Sequence, residues 1–129
     1  MKLLGIDFGL RKVGLALGDS GSRVSVPLEV IQNDDRLLVR LAELVRDEGI
    51  DEIVVGVPLP VGEQTGSKQL DITRAFIEDV KRVVNVPIHE SDERHTSFMS
   101  QQLRKEEGSR VQEDALAAMM ILQSYLDAM

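Results

Sequence analysis

The sequence predicts an α/β domain built on a mixed sheet, and three observations carry that reading. Two apolar segments, "KLLGIDF" and "KVGLALGD", are joined by only a Gly-Leu-Arg connection, as an antiparallel hairpin requires. A later segment, "IDEIVVGVPL", is nearly continuous in apolar residues, the pattern of a parallel strand covered on both faces. Downstream of the third strand, helix-period and strand-like segments alternate, which gives βα units. The predicted order is three strands, helix, strand, helix, strand, helix, helix. The sheet is then five-stranded, an antiparallel hairpin plus parallel strands, with helices on both faces and residues 1–129 as one domain.

Each element has its own signal. Gly9, in the hairpin connection, permits a positive φ in the small loop. "RVSVPLEVI" reads as a third strand, and Pro27 inside it demands an edge position or a bulge, because proline has no N–H for the ladder. In "DDRLLVRLAELVRDEG", Leu37, Leu38, Leu41, Leu44 and Val45 recur at helical spacing, with Asp34 or Asp35 as the expected N-cap and Gly49 just past the end. Further helices are expected in "QLDITRAFIEDVKRVV", "TSFMSQQLRKEEG" and "EDALAAMMILQSYLDAM", with a short strand "VPIHES" between the first two.

Composition narrows the function. With 129 residues, 43% of them hydrophobic and 29% charged, the chain is long enough for one core. The absence of cysteine removes disulfides, zinc–thiolate sites and thiol nucleophiles. The first apolar run stops at Asp7, which is not the h-region of a signal peptide, and a soluble cytoplasmic protein is expected. A net charge of −7 argues against non-specific binding of nucleic acid through a wholly basic surface. It leaves open a basic face, or bound divalent ions that invert the sign of an acidic site. Three Phe and one Tyr are too few for a single-strand binder built on stacked aromatics.

Three carboxylates stand out by position. Asp7 interrupts an apolar strand, where an unpartnered carboxylate is costly. Glu93 directly follows the last predicted strand, in "SDERHTS". Asp114 opens a helix apolar enough to pack inside, where the plain structural reading is an N-cap. Sites in such sheets collect at the carboxyl ends of parallel strands, which Asp7 and Glu93 share. Oxygen donors without cysteine suit Mg2+ or Mn2+, and three converging carboxylates suit two ions arranged for in-line phosphodiester displacement.

The remaining polar candidates are weaker. His89, within a strand, reads as a half-exposed polar residue, and His95 as a proton-transfer aid or a surface residue. Lys12 and Arg94 are candidates for phosphate contacts or for pairing with nearby acids. The loop "VPLPVGEQTGSK" offers backbone N–H groups and Lys68 to a phosphate, but lacks the Gly-Lys-Ser/Thr ending of a P-loop.

The blocks "GIDFG…VGLALGD", "VVGVPLPVGEQTGSKQ", "SDERHTS" and "DALAAMMILQSYLD", in this order from about residue 3 to 127, resemble the YqgF-type family of RNase H-like nucleases. Its members are named as Holliday junction resolvases and as nucleases of precursor 16S ribosomal RNA. The resemblance implies an RNase H-like fold, and a metal site in which Asp7, Glu93 and Asp114 match the family's acidic positions. It further implies that the basic cluster ahead of the last helix corresponds to Arg104, Lys105 and Arg110, a segment shortened here to "RKEEGSR". An apolar residue usually precedes the final aspartate, whereas Glu113 stands here, so Asp114 and Glu113 remain alternatives as third ligand. The function implied is a metal-dependent endonuclease on branched DNA or precursor ribosomal RNA, with a homodimer suited to paired incisions. The alternatives are a catalytically weak RNA- or protein-binding module, or a nucleotide binder, which would lack the second half that closes an actin-like cleft.

Overall fold

In the computed structural model, residues 1–58, 68–92 and 113–129 are described. The strands are β1 (Lys2–Phe8), β2 (Lys12–Asp19), β3 (Val24–Gln32), β4 (Glu52–Val57) and β5 (Ile88–Asp92). The helices among the described residues are α1 (Leu37–Asp47), α2 (Lys68–Lys81) and α3 (Glu113–Asp127). The expected helix over residues 96–108 lies outside them. The sheet runs β3-β2-β1-β4-β5. β1 is antiparallel to β2 and parallel to β4, and β5 is parallel to β4, so the expected mixed five-stranded sheet is what forms.

Period-two alternation sorts the strands into two cores. Leu4, Ile6, Val13, Leu15, Ile53 and Val55 pack on the side of α1 and α2. Leu3, Ala16 and Val54 point the other way, under Ala118, Ile121, Leu122 and Leu126 of α3. Burying Leu122 completely is worth about 2 kcal/mol, and α3 places several such residues on the sheet. The far part of α3 is also tied by polar contacts. Gln123 accepts from the Ser25 amide (3.0 Å) and donates to the Arg23 carbonyl (2.8 Å). That second bond holds a residue with φ of 58°, an unfavourable backbone for a long side chain.

Three local expectations meet different outcomes. Pro27 sits on an edge strand and beside a register shift, in which Leu15 pairs with Glu29 but Ala16 with Pro27. Both options that proline allowed are therefore used. Helix α1 starts later than expected: its N-cap is Arg36, with no side-chain cap bond. Asp34 Oδ1 instead accepts from the Arg36 amide (3.0 Å), a turn that spends the carboxylate before the helix begins. Gly9 does not take a positive φ. Glycine is needed there because a Cβ would lie 2.5 Å from the Lys12 carbonyl oxygen. Gly49, with φ of 65°, ends α1 as its position predicts.

Candidate active site

Asp7 belongs to the last turn of pleat in β1 and shares the α3 face with Leu3, four residues earlier. Its partner across the hairpin is Gly14. Helix α3 comes down on that glycine: a Cβ added to Gly14 would overlap the Asp114 carbonyl and approach the Ala115 nitrogen to 3.0 Å. Directly paired residues in an antiparallel ladder stand about 5 Å apart. The first turn of α3 and the carboxyl end of β1 thus meet over one missing side chain. Asp7 and Asp114 are both half-buried there.

The parallel strands bring their own ends to the same level. Ile6 is in register with Val55 and Val55 with Glu90, which places Asp7, one residue on, beside Gly56 and Ser91. Glu93 lies outside the described residues; it follows Asp92, the last residue of β5. Arg94, His95, Arg104, Lys105 and Arg110 also lie outside them. Glu113 and Asp114 both occupy the first turn of α3, where the helix dipole favours negative charge. Asp114 is therefore inside the helix rather than its cap, and its backbone, not that of Glu113, rests on β2.

The cations are distributed unevenly. Lys2, Arg40, Arg46, Arg74, Lys81 and Arg82 are each within ion-pair distance of a carboxylate. Arg11, Lys12, Arg23, Arg36 and Lys68 are exposed, and none has an ion pair among the described residues. Arg23 lies in the β2–β3 turn at the far end of the sheet, and the other four belong to connections or element starts at the end that carries Asp7. Arg11 ends the β1–β2 turn and Lys12 opens β2, Arg36 precedes α1, and Lys68 opens α2. Sequence reasoning singled out Lys12 and Lys68 and missed Arg11 and Arg36. Adjacency to Lys12 in a turn two residues past the Asp-Phe pair was the available signal for Arg11. For Arg36 there was none, since its freedom depends on Asp34 pairing with Arg40 (3.7 Å).

His89 is elsewhere. It lies near the amino end of β5, its ring stacked on Tyr125 with centroids 5.4 Å apart. Its Nε2 is 3.3 Å from Glu52 Oε2 but off the line a hydrogen bond needs. Burial, and then the nearby Glu52 charge, push the Tyr125 phenol above its ordinary pKa.

Residues 1–128 match the family described as RuvX: Holliday junction resolvase. The chain belongs to the RuvX family. A relative from Chloroflexus aggregans, named "Putative pre-16S rRNA nuclease", is 35% identical over 98% of this chain and 93% of its own length. One of the same name from Sulfurihydrogenibium sp. is 33% identical, over 98% and 90%. Among solved structures, Thermus thermophilus RuvC in complex with Holliday junction substrate superposes with a TM-score of 0.61 at 17% identity, covering 99% of this chain and 94% of that one. The Fowlpox virus resolvase with its Holliday junction DNA gives 0.61 at 12%, covering 99% and 98%. At those identities the structures establish the fold, and the expected RNase H-like architecture on a mixed five-stranded sheet is borne out.

The donor set of this RuvX member fits a hard divalent ion. Asp7 and Asp114 offer only oxygen, and the chain holds no thiolate to favour a softer metal. Among the described residues, no three acidic or histidine side chains gather closely enough to hold an ion alone. The backbone of Asp114 rests on Gly14, the cross-strand partner of Asp7, which brings the two acidic residues to the same end of the sheet.

Proposed function

We propose that this chain is a divalent-metal-dependent endonuclease that hydrolyses phosphodiester bonds in structured nucleic acid. The observation that carries the reading is the seating of Asp114 on Gly14, opposite Asp7. It gathers two acidic residues, 107 positions apart in the chain, at the end of the sheet where Arg11, Lys12, Arg36 and Lys68, without ion pairs among the described residues, also lie. Asp7, Asp114 and Glu93 would hold Mg2+ or Mn2+, which supplies charge neutralisation at the phosphate and acidifies the attacking water. The chain's own contribution is placement. β1 fixes Asp7 from a ladder paired on both sides, α3 presents Asp114 from a helix packed on one face of the sheet, and Lys12 and Lys68 hold flanking phosphates.

The names of the relatives point to precursor 16S ribosomal RNA, and the family description to four-way DNA junctions. The first is the substrate we favour, because a single acidic domain with few free cations suits a single incision better than the paired incisions of a symmetric dimer. Both substrates are tested side by side with Mg2+ or Mn2+, using wild type, Asp7→Asn and Asp114→Asn. Cleavage of the RNA that both substitutions abolish supports the reading. Junction cleavage by a dimer moves the substrate to DNA. Binding without cleavage moves the protein to a non-catalytic RNA-binding role, the second reading that its paired cations and net charge of −7 favour.

A further inference from the structure

The β1–β2 turn carries a feature that phosphate binding does not use. Leu10 is 64% exposed, the most exposed large apolar side chain among the described residues. It sits between Gly9 and the two unpaired cations Arg11 and Lys12, three residues beyond Asp7. A single exposed leucine is ordinary on a protein surface. This one is held unusually firmly. Asn33 Nδ2 donates to the Gly9 carbonyl (2.8 Å), and the Asn33 amide donates to the Arg11 carbonyl (2.9 Å). One residue from the end of β3 thus clamps the turn on both sides of Leu10. The tight Gly9–Lys12 approach leaves the turn no slack, and stacking of Phe8 on Phe76, with centroids 4.2 Å apart, pins the strand just before it.

We propose that this turn is a wedge that engages the end of a base-paired segment. Leu10 inserts against the terminal base step while Arg11 and Lys12 take the phosphates on either side, and Asn33 is the positioning residue. Apolar side chains that part base steps work only when rigidly presented, because a mobile side chain gives back the unstacking energy as its own disorder. Flanking cations then carry the electrostatic part of the binding. The wedge sets where a duplex ends relative to Asp7, and so selects substrates by structure rather than base sequence. This inference rests on the endonuclease reading above and adds to it the element that recognises a duplex–single-strand boundary.

The test uses a short RNA duplex with a single-stranded extension, with 2-aminopurine in the last base pair, and the same RNA strand without its complement. Both are bound by the full chain in Ca2+, so that binding is read apart from turnover, and cleavage is followed separately in Mg2+. Wild type is expected to raise 2-aminopurine fluorescence on the forked substrate. Leu10→Ser should lose that rise and bind the fork roughly tenfold more weakly, and Leu10→Met should restore both. Asn33→Ala should lose the fluorescence rise with intact Arg11 and Lys12. Arg11→Ala with Lys12→Ala should weaken binding to both RNAs and lower the salt dependence by about two phosphate contacts. Wild-type cleavage without a fluorescence rise, or a rise that survives Leu10→Ser, overturns the wedge and leaves the nuclease standing. Absence of both binding and cleavage of either RNA overturns the two together.

Discussion

The Asp114 carbonyl lies where a side chain on Gly14 would be. That contact sets the height of α3 above the sheet, and with it the distance from Asp114 to Asp7, the residue paired with Gly14.

Gly14→Ala should therefore cost about 1–3 kcal/mol, since a backbone carbonyl cannot rotate away as a side chain can. Gly18→Ala is the control. There the added carbon meets Leu122 Cδ2 at 2.8 Å and Leu126 Cδ1 at 3.2 Å, the far ends of two side chains. Chemical denaturation should show the larger loss for Gly14→Ala, and cleavage should fall further in that variant than stability explains. Equal losses in both variants would mean the helix start does not depend on that glycine.

Asp7→Asn and Asp114→Asn should each lower cleavage by about a hundredfold or more, as expected when a charged group at the reacting centre is neutralised. Glu113→Gln should keep most of it, because Asp114 is the residue seated over β2. Single-turnover rates on the precursor RNA fragment distinguish the two acids. The reverse ranking would make Glu113 the ligand.

Mn2+ should raise the thermal midpoint of wild type by binding the folded state alone. At a hundredfold excess over Kd the stabilisation is about 2.7 kcal/mol. Chelation with EDTA should remove the shift, and Asp7→Asn should not show it. A shift of equal size in Asp7→Asn would place the ion elsewhere.

The chain has one tyrosine and no tryptophan, so its phenol can be titrated optically without interference. Burial first, then the Glu52 charge, hold Tyr125 neutral beyond the ordinary phenol pKa of about 10. A folded pKa raised above the unfolded one contributes stability that is complete below about pH 10 and is lost as pH rises through the folded value. The tyrosinate absorbance midpoint should lie above 10, and Glu52→Gln should lower it part of the way back. A wild-type midpoint at or below 10 would contradict the packing of Tyr125 against His89 and β4.

Periodicity was enough to read the eight described elements, because strand and helix patterns are properties of neighbouring residues. The alternation in "KLLGIDF" and the helical repeat through Leu37, Leu41 and Leu44 survive any tertiary arrangement. Pro27 announced an edge strand for the same local reason, the missing N–H. Where a local signal had competition, it failed. Asp34 turned to the Arg36 amide instead of capping α1, and Gly9 serves a close approach rather than a positive φ.

What the sequence by itself determined is the set of acids worth watching, since Asp7 breaks an apolar strand and Asp114 opens an apolar helix. What only the tertiary structure decided is which partners they have. Gly14 looks like any glycine in a strand until α3 is docked on it, and Arg11 and Arg36 look like other cations until six of the described cations find carboxylates. The second depends on which side chains the fold brings within reach of one another, the first on strand register and helix height between residues 100 positions apart. Those are set by side-chain volumes in the two cores, such as Leu122 and Val54 on one side and Ile53 and Leu41 on the other, and no short stretch of the chain encodes them.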